Sequence, residues 1–76
     1  MKKSKHDNLT PVDSDHIHSV GYSPLDRTMT VRFHNGYTYK VHGVEPHVHQ
    51  NFMSAHSKGE FYHAYFKNHY HVERIA

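Results

Sequence analysis

The stretch "MTVRFHNGYTYKV", Met29 to Val41, constrains the fold more than any other part of the chain. Met29, Val31 and Phe33 alternate with Thr30, Arg32 and His34, and Tyr37, Tyr39 and Val41 alternate with Thr38, Lys40 and His42. A period of two is the signature of a half-buried strand. Asn35-Gly36 between the two runs marks a hairpin turn. The register follows from which side chains must share a face. A two-residue turn would pair His34 with Tyr37 and split the apolar set across both faces. A three-residue loop, His34-Asn35-Gly36, pairs Phe33 with Tyr37, Val31 with Tyr39 and Met29 with Val41. All apolar positions then face one way, with Gly36 in a left-handed bulge position. The three-residue loop is therefore expected.

"IHSVGY", Ile17 to Tyr22, reads as an earlier strand, followed by a turn at "SPLDRT". Ile17 and Val20 have opposite strand parity, so burying both requires a bulge or a change of conformation between them, which could turn His18 inward. After "GVEP", Pro46 suits a first helical position. Val48, Phe52 and Ala55 follow at amphipathic spacing. "SKGE" places Ser57 as an N-cap with Glu60 three residues on, and a second helix is expected from about Lys58 to Tyr70. The fold class implied is α+β: a three-stranded antiparallel meander followed by two helices packed on one sheet face. Residues 1–12, beginning "MKKSKHDNLT", read as a disordered polar tail and residues 13–76 as a single domain. The expected core is Val20, Met29, Val31, Phe33, Tyr39, Val41, Val44, Val48, Phe52, Ala55, Phe61, Tyr62, Phe66 and Tyr70.

With 76 residues and no cysteine, the chain has no disulfide and no thiolate metal site, and a cytoplasmic setting fits. Six tyrosines and four phenylalanines must supply much of the buried area. No apolar run reaches the ~18 residues of a membrane span, and the lysines at the start have no apolar segment behind them, as a signal peptide would. The net charge of +2 is too small to demand a nucleic-acid partner.

Taken together, "SVGY", "MTVRFHNG", "YTYKVHGV", "SAHSKGEFYHAYF" and "HY" resemble the KTSC domain, a small module named for its place at the C-terminus of some lysyl-tRNA synthetases. The resemblance covers roughly Ser14 to Ile75. It implies a compact α+β module without known catalytic residues, and no active site is carried over. The departures concern histidine. The family tends to have an aromatic where His49 stands, asparagine where His63 stands and proline near His71. Glu45 occupies a place where the family usually has proline. A histidine-enriched variant is implied, natural or engineered.

Eleven histidines in so short a chain pose the functional question. Neutral imidazole binds zinc, copper or nickel, but a site needs ligands that converge. His16 and His18 are the best local pair, because residues i and i+2 of a strand share a face. The plainer reading is two solvated side chains on an edge strand. His42 joins them only if the first and third strands of the meander are neighbours. His49, Met53 and His56 fall on one helical face that could hold a soft copper ion, though a flank partly packed on its neighbour is the plainer reading. A site shared between two copies through histidines or metal, giving self-association, stays open. No cofactor is required.

A proton-linked role is a second reading, since histidine alone titrates unperturbed in the physiological window. His69 lies within the apolar arc of the second helix, and His49 faces inward if the family's aromatic does. The alternative is that both lean outward. A third reading is an RNA-associated accessory role. It is suggested by the synthetase connection and uses Arg32, Lys40, Lys67 and Arg74 beside tyrosines. These cations are scattered, which favours a solvated surface. No phosphate-binding loop, HExxH or perturbed acidic pair is present, so a non-enzymatic module is expected. Glu45 and Glu60 are explained as helix-start residues.

Overall fold

The computed structural model describes residues 9–76. Five strands, two short helices and a π-helical segment follow in order. They are β1 (Thr10–Pro11), β2 (Ile17–Ser23), β3 (Thr28–Phe33), β4 (Thr38–His42), α1 (Pro46–Met53), α2 (Lys58–Phe61), the π segment (Tyr62–Phe66) that continues α2, and β5 (His71–Arg74). The sheet is wholly antiparallel, in the order β1-β2-β3-β4-β5. The α+β class with two helices on one face is as expected, but the sheet has five strands rather than three. Both additional strands lie at the edges. β1 falls in the stretch read as a tail, whose residues 1–8 lie outside the described residues. β5 follows the second helix.

The β3–β4 hairpin adopts the expected register. Val31 pairs with Tyr39 and Met29 with Val41. Phe33 N–H donates to the Tyr37 carbonyl at 2.9 Å, and Gly36 N–H donates to the Phe33 carbonyl at 2.9 Å. Gly36 has φ 95°, the left-handed conformation that closes a three-residue loop. The parity conflict in β2 is resolved by a shift of register between Ile17 and Ser19. A bulge there turns both Ile17 and Val20 into the core, at 0% and 2% exposure. His18 is correspondingly left outside, contrary to the inward lean considered from the sequence, and Ser19 is buried in its place.

Pro46 is the first residue of α1, where its missing N–H costs no hydrogen bond. Ser57 Oγ accepts from Glu60 N–H at 3.3 Å, so the N-cap of α2 forms as read. The second helix then departs from α-geometry. Lys67 N–H reaches back five residues to the Tyr62 carbonyl at 3.0 Å, the π pattern. Phe66 and Tyr62 are buried there, and Phe61 packs against them.

The core is one cluster between the inner sheet face and the helices: Ile17, Val20, Met29, Val31, Val41, Val44, Phe52, Tyr62 and Phe66. Phe33, Val48, Phe61 and Tyr70 pack on its margin. Tyr39 and Ala55 are partly exposed, Ala55 because α1 ends at Met53 before reaching it. The connection after β4 is pinned from two sides: Val44 N–H donates to the Arg27 carbonyl at 2.8 Å, and the Tyr22 hydroxyl donates to the Val44 carbonyl at 2.6 Å. Among the described residues, no helix is long and apolar enough to cross a membrane.

Candidate metal centre

The outer face of the sheet, away from the helices, carries the polar half of each alternating strand. On β4 these positions are Thr38, Lys40 and His42. On β5 they are His71 and Glu73, two residues apart and therefore on one side. Antiparallel pairing sets His42 directly opposite His71, and Lys40 opposite Glu73. Directly opposed side chains on adjacent strands leave their Cβ atoms about 5 Å apart, within reach of one another.

Three potential ligands meet there. His42 Nε2 lies 3.1 Å from Glu73 Oε1. The His42 and His71 rings have centroids 5.0 Å apart at an interplanar angle of 37°. One donor atom from each of His42, His71 and Glu73 lies within 4.8 Å of the other two. Donors of a tetrahedral ion bound at ~2.0–2.1 Å are roughly 3.3 Å apart. The His42–Glu73 separation of 3.1 Å already has that size, whereas the His71 donor atom lies only within 4.8 Å of the other two. Two imidazoles and a carboxylate suit zinc, nickel or copper, and three protein ligands leave further coordination positions open. In the absence of an ion the same contact is a hydrogen bond from His42 Nε2–H to Glu73, charge-assisted when His42 is protonated.

Of the metal ligands read from the sequence, only His42 enters this group. His16 precedes β2, and its ring lies against Gly59 of α2, so close that a Cβ on Gly59 would come within 2.9 Å of His16 Cδ2. His18 lies past Ile17 in the bulged stretch. Its Nδ1 is 3.0 Å from Ser19 Oγ, and its ring meets that of His34 edge-on at 5.6 Å. The bulge has broken the alternation on which the His16–His18 pair rested. β3 lies between β2 and β4, so His42 cannot join them. His49 and His56 do not share a helix face either, because α1 ends at Met53. His56 instead lines a polar depression with His16, Asp13 and Glu60.

His49 is partly buried and stacks on Tyr22, with ring centroids 4.3 Å apart and planes 7° from parallel. Burial holds its pKa below the ordinary histidine value. His69, which the helical wheel set within the apolar arc, is exposed, in line with the outward lean weighed against it. The helical wheel that placed it assumes 100° per residue, and the π turn ahead of it breaks that phase. Arg32 and Lys40 stand on the outer sheet face, whereas Lys67 and Arg74 flank a cleft on the inner side. The four cations read as an RNA surface are thus divided between two faces.

His71 and Glu73 were missed as ligands because His71 reads as the frayed end of a helix. The signal was the alternation of His71, Val72 and Glu73, with Val72 set opposite Val41 once β5 pairs with β4.

The sequence model of the KTSC domain matches residues 13–70 of the chain. A protein of Tsukamurella paurometabola is 36% identical over 53 residues, spanning 70% of this chain and 79% of that protein. An uncharacterized protein of Stutzerimonas stutzeri is 34% identical over 65 residues, 84% of this chain and 92% of its own. The crystal structure of a KTSC domain protein from Yersinia pestis superposes with a TM-score of 0.82 at 40% identity, covering 90% of this chain and 96% of that one. Because the family model spans most of the chain and a solved KTSC domain protein superposes over 90% of it, the chain belongs to the KTSC domain family.

Proposed function

We propose that the domain is a non-enzymatic binding module that takes up a transition-metal ion, zinc, nickel or copper, through His42, His71 and Glu73. The observation that carries this reading is the cross-strand placement of three donor atoms within 4.8 Å of one another. β5 is the outermost strand of the sheet, so the open coordination positions face solvent and can accept a ligand from a second copy, which would couple metal uptake to self-association. Because imidazole must be neutral to bind metal, affinity weakens on acidification. The RNA-associated role is the weaker reading, since its cations do not form one surface.

Calorimetric titration of the full chain with zinc and nickel tests the proposal. One saturable site per chain is expected. His71→Ala and Glu73→Gln each weaken it tenfold or more, consistent with ~1.4 kcal/mol per decade, while His16→Ala leaves it unchanged. Equal binding by wild type and His71→Ala would overturn it.

A further inference from the structure

A second site lies on the opposite side of the sheet. The β3–β4 hairpin, the π segment and the inner face of β5 enclose a cleft of about 290 Å³. Its walls are largely aromatic: Phe33 and Tyr39 from the hairpin and Tyr62 from the π segment, with Phe33 edge-on to both tyrosines at 5.7 and 5.2 Å. At its rim stand Lys67, His63 and Asn35, and no carboxylate lines it. Arg74, on the same sheet face as its strand partner Tyr39, holds its guanidinium 4.4 Å from the centroid of the Tyr37 ring, which itself lines the cleft.

Tyr62 is the telling residue. It is only 4% exposed, yet its hydroxyl has no hydrogen-bond partner among the described residues, in contrast to that of Tyr22. No fully buried side-chain oxygen among those residues lacks a partner, so the Tyr62 hydroxyl reaches the cleft. Burial and the neighbouring Tyr39 push its pKa up to about 12, so the phenol keeps its proton and can donate a hydrogen bond into the cleft. A π-helical turn forms the wall that presents it, and such turns concentrate at functional sites.

We infer that this cleft binds a small aromatic anion, one ring wide, with the ring seated against the wall that Phe33, Tyr39 and Tyr62 form. Its carboxylate or phosphate would take the tyrosine hydroxyls as donors and Lys67 as counter-ion. The volume sits at the lower end of small-molecule pockets and suits a single ring. Ring stacking is sequence-blind attraction, and the acid-free, basic rim selects for negative charge. This inference does not depend on the metal site, which lies across the sheet.

Amide chemical-shift titrations of the labelled full chain with benzoate, phenyl phosphate, benzyl alcohol and acetate test it. Benzoate or phenyl phosphate is expected to shift the Phe33, Tyr39 and Lys67 amides saturably, and the stronger of the two identifies the anionic head. Benzyl alcohol lacks the charge and acetate the ring, so each binds at least tenfold more weakly. Lys67→Met, at an exposed position, lowers affinity tenfold without changing the melting temperature. Tyr62→Phe removes the donor and keeps the ring. If that variant melts early, Lys67→Met carries the test alone. Benzyl alcohol binding as well as benzoate, shifts that never saturate, or an unchanged affinity in Lys67→Met would each overturn the inference.

Discussion

Gly36 allows a clean separation of backbone strain from packing. Its φ of 95° lies where side chains with a Cβ are disfavoured, yet a Cβ built there would meet nothing within 4 Å. Gly36→Ala therefore introduces strain without a clash. Left-handed backbone costs an L-residue about 1–2 kcal/mol. Alanine also restricts the unfolded chain, which offsets about 0.4–1 kcal/mol of that. The net loss is about 1 kcal/mol, and in a domain of this size it lowers the melting temperature by roughly 4–8 °C. The chain is short enough for chemical synthesis, which permits D-alanine at the same position. D-alanine prefers the mirror-image conformation and keeps the unfolded-state restriction, so it should melt at or above the glycine protein. Thermal unfolding by circular dichroism at pH 7.5 reads all three. If L-alanine at 36 matches glycine, or D-alanine destabilises as much as L-alanine, the three-residue loop and the register it enforces are wrong. Tyr37 and Tyr39 would then not be carried to the cleft.

Other changes should act through equally specific contacts. His49 is held neutral by burial against Tyr22, so its folded pKa is below its unfolded one; the stabilisation is complete above ~6.5 and is lost as the pH falls through the folded value. His49→Phe should accordingly show a smaller fall in melting temperature between pH 7.5 and 5.5 than wild type, and an equal fall would refute the burial argument. Ser57→Ala removes the cap of α2 and should cost about 0.5–2 kcal/mol in urea unfolding, while Ser57→Asp should retain most of it. Phe52, fully buried against Phe61 and Phe66, should cost about 3–5 kcal/mol as Phe52→Ala, leaving the fold barely stable. A loss below ~1 kcal/mol would mean that α1 does not pack as described.

The hairpin was legible because two independent signals agree there, alternation on both strands and a glycine where φ must be positive. The β2 bulge was legible from the opposite parity of Ile17 and Val20. The edge strands were not. β1 is two residues long and contains proline, and β5 reads "HVER", with a single strongly apolar residue. Both are strands because a neighbour offers unpaired backbone groups, and that information resides in the tertiary arrangement. The same limit hid the candidate metal centre. Thirty residues separate His42 from Glu73, and only the β4–β5 register brings them together. The helical wheel was a poor guide to His69 for a different reason: no local residue pattern announces a π turn, and each residue after one is rotated off the α-helical wheel.

Anomalous diffraction from crystals grown with zinc provides the most direct measurement of the central claim, that the outer face of β4 and β5 forms a metal site. A single strong peak is expected between His42, His71 and Glu73, about 2.0–2.2 Å from a nitrogen of each ring and a carboxylate oxygen. Density at His16, His18 or His56 with none between β4 and β5 would contradict it.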